Sequence, residues 1–228
     1  PVTFWMPPLA SRSISFLYGQ MNSGISASDI TLTLCLLQLF KHLSTMVDMA
    51  FYKEVLRKMI HLGALIIPIG YYFLDRDTAL LVLGAGAGIS LVIDIFQLHV
   101  PFFGFLLRKH EDKGKLTGAT YMALGSFLTI LLFDKSIALN CLLFMILCDA
   151  AAALFGKRFG KHKIWKNKSV EGSLAFLLTG IVVSRFTPIG LVGAIVATIA
   201  ELFSDYIDDN LLIPLSSGLA MTIYAASI

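Results

Sequence analysis

The sequence predicts an all-α, polytopic integral membrane protein with about seven transmembrane helices. Of its 228 residues, 57% are hydrophobic and only 14% are charged, whereas a soluble domain has about 45–50% apolar and about 25% charged residues. The mean hydropathy is +0.79. Apolar segments also recur along most of the chain, several approaching the ~20 residues that a helix needs to cross a bilayer. A membrane-embedded chain is therefore expected.

Seven apolar segments follow one another after residue 60, and short polar stretches separate them. Several are short for a full span, so we expect these helices to extend into the adjoining loops. The segments lie at 62–74, 79–100, 119–133, 137–155, 173–186, 189–203 and 211–228.

Residues 1–48 are predicted to be an accessory segment outside the functional unit. They mix Pro, Ser and Gly without a helical period, and their apolar run at 30–40 is too short for a span. They also lack the basic start and the cleavage site of a signal peptide. The stretch from Met49, MAFYKEVLRKMIHLGALIIP, instead has the form of a natural beginning, with a charged amphipathic lead before the first span. We therefore expect a membrane-embedded domain over residues 49–228.

The basic residues are divided unevenly between alternate loops. After residue 50, thirteen Lys and Arg residues fall on one side of the predicted spans, and only Arg76, Lys135 and Arg185 fall on the other. Under the positive-inside rule the basic loops lie in the cytoplasm. The acidic residues in or beside spans fall on the same side, so we expect an active face that is cytoplasmic.

The stretch CDAAAALFGKRFGKHKIWKNKSVEGSLAF begins with an acidic residue at the edge of an apolar segment and continues as a cationic loop. An ionisable group inside a span costs about 2.5–3.5 kcal/mol, so Asp149 needs a compensating partner. A carboxylate that faces a basic loop can hold Mg²⁺ together with a polyphosphate. The alternative is that Asp149 lies at the membrane interface and pairs with Lys157 or Arg158.

The basic loop itself allows two interpretations. Gly156 and Gly160 would let backbone N–H groups approach phosphate oxygens, and Lys168 and Ser169 precede a helix start, which favours phosphate. The alternative is a loop that only fixes the orientation beside anionic lipid, with Glu171 as a capping carboxylate. The residue order is not that of a P-loop, G-x-x-x-x-G-K-[ST], so a soluble-type NTPase is not supported.

Three further stretches supply candidate site residues. YKEVLRKMIH places Arg57 or Lys58 and His61 on one helix face with Glu54; the alternative is an amphipathic lead-in. Further charges lie in LLRKHEDKGKLTGATY, which could equally be a solvated loop. They also lie in ELFSDYIDDNLLIPL, which could equally be an Asx-type turn that caps the following helix. The candidates in these two stretches are Arg108, Glu111, Glu201, Asp208, Asp209 and Asn210.

The three cysteines, Cys35, Cys141 and Cys148, lie in or beside apolar stretches and show no C-x-x-C spacing. Neither a disulfide framework nor a zinc site is indicated.

The order of these motifs is more specific than any one of them. It runs R-K-x-x-H, then R-x-x-E-x-x-x-x-x-T-G-A-T-Y, then D-A-A-A with G-K-x-x-G and K-S-x-E-G, then E-x-x-x-x-x-x-D-D-N-L-x-I-P. Over about residues 53–220 this order closely resembles the diacylglycerol and polyprenol kinase family. That family includes dolichol, phytol and farnesol kinases and CTP-dependent diacylglycerol kinases, and is related to phosphatidate cytidylyltransferases. Cys148 and Ser169 depart from the family's usual Gly and Thr.

The resemblance implies an enzyme that moves the terminal phosphoryl group of a nucleoside triphosphate, characteristically CTP, to a lipid alcohol. The acceptor would be a polyprenol-type isoprenoid alcohol or diacylglycerol in the bilayer, Mg²⁺ would be the cofactor, and no nucleic acid is expected as a partner. The implied catalytic residues are Asp149, Lys168, Glu171, Asp208 and Asp209, and the implied metal ligands are Asp149, Glu201 and Asp209. The implied nucleotide-binding residues are Gly156, Lys157, Gly160, Lys161, Ser169 and Asn210. Arg57, Lys58, His61, Arg108 and Glu111 would bind phosphate or the acceptor.

Two other functions remain open from the residues. A cytidylyltransferase would use the same nucleotide to make a CDP-lipid. A small ion or proton-coupled transporter would use the intramembrane acids as a relay, although the charges gather at one face and no clear inverted repeat is seen.

Overall fold

The computed structural model describes residues 51–96, 116–166, 168–204 and 207–228. The chain from Phe51 to Ile228 forms a compact unit. The predictions for residues 1–48 and for Arg108 and Glu111 lie outside the described residues.

The described chain is mainly helical, as the composition predicts. A π-helical turn, Phe144–Cys148, joins two of the helices into one continuous run. The helices are α1 (51–63), α2 (Ile66–Phe73), α3 (Arg76–Ile95), α4 (Gly118–Leu132), α5 (Lys135–Leu143), α6 (Asp149–Phe159), α7 (Val170–Val183), α8 (Pro188–Leu202) and α9 (Asp209–Ser227).

A small antiparallel hairpin interrupts the helical order, so the prediction of an all-α chain is incomplete. Strand β1 (Lys163–Trp165) pairs with β2 (Lys168–Ser169), and a register irregularity lies between Lys163 and Trp165. The hairpin connects α6 to α7. Strands this short and this basic carry no alternation of apolar residues that would reveal them in the sequence.

Within the described residues, three helical segments are long and apolar enough to cross a membrane. They are α3, the run Lys135–Phe159 and α9, while α4, α7 and α8 are shorter apolar helices. The protein is therefore membrane-embedded, and a total of about seven transmembrane helices stays a prediction.

The run from α5 through the π-turn to α6 forms the centre of the helical unit. Phe144, Ile146 and Cys148 are fully buried, and they pack with Phe176 of α7 and Ile213 of α9. By contrast, α3 presents much of its apolar surface outwards. The residues just before Asp149 are thus fixed on several sides by the core.

Polar residues at the helix starts explain where most of these helices begin. A side-chain oxygen that accepts a backbone N–H satisfies one of the donors left open in the first turn. Such caps start five helices, at Asp75, Thr117, Ser169, Thr187 and Asp208.

Two basic side chains donate hydrogen bonds to the carbonyl groups at the C-terminal ends of neighbouring helices. They lie on the side of the helical unit where α3 and α5 begin. Arg76 donates to the carbonyls of Ile130, at 3.1 Å, and Leu131 in α4. Lys135 donates to the carbonyl of Leu74 at 2.8 Å. These cations neutralise the negative ends of helices, so two of the three basic residues on the predicted outer side have a structural explanation.

Candidate active site

A charged cavity of about 530 Å³ opens at the opposite end of the helical unit. It is built where α1, α6, the hairpin, the start of α7, the end of α8 and the start of α9 come together. Its charged lining residues are Glu54, Arg57, Lys58, Asp149, Lys157, Lys163, Lys168, Glu201 and Asp209. Charges that are far apart in the sequence therefore share one space.

A buried ion pair joins α1 to α6 at this cavity. The Nζ atom of Lys58 donates to Oδ2 of Asp149, and the two residues are only 1% and 4% exposed. Asp149 thus has Lys58 as its partner, rather than the neighbouring Lys157 or Arg158. Because isolated buried charges are costly, each member of the pair makes the burial of the other tolerable.

His61 lies one helical turn beyond Lys58 and contacts the same region. Its Nε2 atom is 3.1 Å from the carbonyl oxygen of Met145 and 3.5 Å from Oδ2 of Asp149. Since a carbonyl only accepts, the short contact with Met145 requires the proton on Nε2.

A second ion pair joins the hairpin to α8. Lys168 donates from Nζ to Oε1 of Glu201, while the other oxygen, Oε2, is buried and has no hydrogen-bond partner among the described residues. Within the same ranges, Oδ1 of the buried Asn210 also has no partner. Two buried acceptor oxygens are therefore available to a donor or a cation.

Glu54 holds two cations at the rim of the cavity. Arg57 donates to Oε1 of Glu54, and Nζ of Lys157 lies 3.4 Å from Oε2. Burial opposes ionisation of Glu54, but the hydrogen bond from Arg57 and the positive charges of Arg57, Lys157 and Lys58 outweigh it and hold the pKa of this carboxyl below its usual value.

Close contact between α6 and α7 brings the hairpin against the C-terminal end of α6. A Cβ on Gly172 would lie 3.0 Å from the carbonyl oxygen of Ala152 and 3.2 Å from Cα of Gly156. At Gly160, which ends α6, a Cβ would collide with Gly156 and Ser169. These glycines have a packing function, and only Gly156 and Gly172 also line the cavity.

Glu171 faces the hairpin rather than the cavity lining. Its carboxylate lies 2.8 Å from Nδ1 of His162 and accepts from the His162 backbone N–H at 3.3 Å. The carbonyl of His162 in turn accepts from the N–H of Val170 at 2.9 Å. Glu171 therefore ties the hairpin to the first turn of α7.

The start of α9 separates the roles of two adjacent acids. Asp208 caps the helix, because its Oδ1 accepts from the backbone N–H of Asn210 at 3.0 Å and from Nδ2 at 2.7 Å. This is the Asx-type arrangement considered from the sequence. Asp209 is buried and lines the cavity.

The structure brings most of the predicted site residues together. Those that line the cavity are Arg57, Lys58, Asp149, Gly156, Lys157, Lys168, Ser169, Glu201 and Asp209. Those outside its lining are His61, Gly160, Lys161, Glu171, Asp208 and Asn210.

Sequence reasoning assigned no site role to four polar residues of the cavity lining: Glu54, Lys163, Ser173 and Ser204. A signal existed for Glu54, which lies four residues before Lys58 on the same helix face.

The oxygen atoms of the cavity suit a hard divalent cation. Within the described ranges, no group of three or more His, Cys, Asp or Glu side chains is already arranged around a metal position. Mg²⁺ is commonly held by one or two carboxylates together with substrate phosphates, rather than by a complete protein cage. Asp149, Glu201 and Asp209, with the unpartnered Oε2 of Glu201, fit that mode.

The described chain therefore combines apolar helices with a cavity lined by paired cations and carboxylates, which defines the class: a membrane-embedded protein with a charged site. No protein-family model matches the chain, and no solved structure gives a match.

Curated relatives do match the chain. An uncharacterised protein of Rickettsia prowazekii is 33% identical over 199 residues, which are 78% of this chain and 96% of that protein. CTP-dependent diacylglycerol kinase 1 of Eremothecium gossypii is 32% identical over 141 residues, 57% of this chain and 44% of the kinase. The enzyme of the same name in Saccharomyces cerevisiae is 28% identical over 175 residues, 58% of this chain and 59% of the kinase. The chain thus spans about half the length of these two kinases. Over the part of the chain that they cover, these kinases support the diacylglycerol and polyprenol kinase family.

Proposed function

We propose that this protein is a membrane lipid kinase that transfers the terminal phosphoryl group of CTP to the hydroxyl of a lipid alcohol. One observation carries the proposal: the cavity pairs Lys58 with Asp149 and Lys168 with Glu201 at one end of an apolar helical unit. A lipid in the bilayer and a nucleotide in water can both approach such an end. The names of the two fungal relatives support CTP as the donor.

The cations of the cavity provide what phosphoryl transfer requires. The reaction is catalysed mainly by positioning and by stabilising charge on the transferred group. Lys168, Lys157 and Lys163 line the cavity and would bind phosphate oxygens, two of them from the hairpin and one from α6. Lys58 would remain paired with Asp149.

The carboxylates would divide between cation binding and the acceptor. Asp149 and Glu201 would hold Mg²⁺, which when bound neutralises charge on the triphosphate. Asp209 would orient the lipid hydroxyl and accept its proton, since Asp208 is engaged in capping α9. The hydroxyl oxygen forms a bond to the γ-phosphorus, the bond from that phosphorus to the β,γ-bridging oxygen breaks, and CDP leaves.

Diacylglycerol is the first acceptor to test, because the fungal relatives are named for it. Isoprenoid alcohols such as polyprenols are the second. We further propose that the cavity lies on the cytoplasmic face, on the strength of the basic loops around it.

Isotopic labelling tests the proposal directly. Purified protein in lipid micelles is incubated with diacylglycerol or a polyprenol and with CTP labelled at either the γ or the α phosphate. Label from the γ position in the lipid is the expected result. Label from the α position would identify a cytidylyltransferase, and no transfer from either, combined with ion flux in liposomes, would point to a transporter.

A pair of variants controls this experiment. Asp149→Asn should abolish transfer, because it removes a carboxylate of the cavity. Asp77→Asn makes the same chemical change in the exposed first turn of α3, near Arg76 and away from the cavity lining. It should leave transfer unchanged.

A further inference from the structure

A π-turn immediately precedes Asp149. The backbone N–H of Asp149 reaches the carbonyl of Phe144, five residues back, as well as that of Ile146. A π-turn places one extra residue in a helical turn, and such turns are frequent at functional sites. Here it lies within the run of α5 and α6 and ends at Asp149.

A side chain from another helix is bonded to this turn. The His61 side chain, 9% exposed, places Nε2 3.1 Å from the carbonyl of Met145, in the middle of the π-turn. The same atom lies 3.5 Å from Oδ2 of Asp149. α1 therefore makes two contacts here, through His61 at the backbone of the turn and through Lys58 at the carboxylate that follows it.

We infer that His61 is a positioning residue whose Nε2–H bond to Met145 holds the π-turn so that the Asp149 carboxylate faces the cavity. This inference rests on the proposed function for its kinetic consequences. It gives His61 a task different from phosphate or acceptor binding, and His61 does not line the cavity. Residues that orient a metal ligand or a catalytic group commonly account for 10- to 100-fold in affinity or activity.

Two substitutions separate this task from the alternatives. His61→Leu fills a similar volume but has no donor, whereas His61→Gln retains an N–H donor on its side-chain amide and has no positive charge. We expect His61→Leu to lower kcat for γ-phosphoryl transfer by about 10- to 100-fold, with little change in KM for CTP. His61→Gln should restore most of kcat. A raised KM for CTP in both variants would overturn the inference, because it would show direct contact with the nucleotide; unchanged kcat in His61→Leu would overturn it as well.

Hydrogen exchange supplies a readout that does not depend on activity. Mass spectrometry of a peptide spanning residues 144–150 should show faster amide exchange in His61→Leu than in the wild type, and near-normal exchange in His61→Gln. Equal exchange in all three proteins would overturn the inference. If the wild type fails to transfer γ-phosphate, the proposed kinase function fails, and the exchange result alone then decides whether His61 holds the turn.

Discussion

Replacing Lys58 by Met removes the cation beside Asp149 while keeping most of the volume of the side chain. The reverse change, Asp149→Asn, leaves Lys58 facing a neutral amide. Both residues are almost completely buried, so the charge that remains after either substitution is poorly solvated. We therefore expect both variants to be destabilised as well as inactive.

The size of the effect follows from the burial of the pair. Removing one member of a buried ion pair costs about 3–5 kcal/mol, because the other charge is left uncompensated. The double variant should lose no more than the worse single variant, because no unpaired charge remains.

The buried cysteines allow a convenient assay. Cys141 and Cys148 are free and fully buried, so a thiol-reactive fluorophore reports thermal unfolding in detergent micelles. The Cys35→Ser background removes the third thiol. For a chain of this size, a loss of 3–5 kcal/mol lowers the midpoint temperature by roughly 6–20 °C.

The double variant provides the decisive comparison. If its midpoint falls by the sum of the two single losses, Lys58 and Asp149 stabilise the protein independently, and the ion pair does not explain their burial. If either single variant unfolds at the wild-type temperature, that side chain does not depend on its partner.

Three further outcomes concern the cavity and its surroundings. Lys168→Met should raise KM for CTP by about tenfold or more, which corresponds to the free energy of one charged hydrogen bond. The control variant Lys161→Met, whose residue lies outside the cavity lining, should leave KM unchanged. Equal effects of the two variants would mean that only the total charge of the loop matters. Glu171→Gln should retain most of kcat, because the amide oxygen can still accept from the hairpin backbone, and a complete loss of transfer would show that Glu171 acts in the site. Chelation of divalent cations with EDTA should abolish transfer and added Mg²⁺ should restore it, while transfer that persists in EDTA would exclude a metal role for Asp149.

The positions of the helices could be predicted because hydrophobic length is a local property. The predicted segment 79–100 corresponds to α3, and the segment 211–228 corresponds to α9. The π-turn could not be predicted, because an apolar run such as LLFMILC has the same composition in either helical form. The hairpin was missed for a similar reason, since strands of three and two residues leave no detectable period.

The residues that line the cavity could be predicted in part from the sequence, but the ion pairs that they form could not. Motif order singled out Asp149, Lys168 and Glu201, and the structure places all three in one cavity. Lys157 or Arg158 was expected as the partner of Asp149, yet it is Lys58, 91 residues earlier. Such a contact depends on how α1 packs against α6, and no local pattern records that.

The helices also differ in length, so they do not all match the same thickness of the hydrocarbon core. With 20 residues, α3 is about 30 Å long and matches a typical hydrocarbon core, whereas α8, with 15 residues, reaches only about 22 Å. A bilayer that suits α3 is too thick for α8, and the mismatch is relieved by tilting the helices or by local thinning. Because the last turn of α8 carries Glu201 into the cavity, we expect lipid acyl-chain length to change the depth at which the site meets the headgroups, provided that α8 crosses the bilayer.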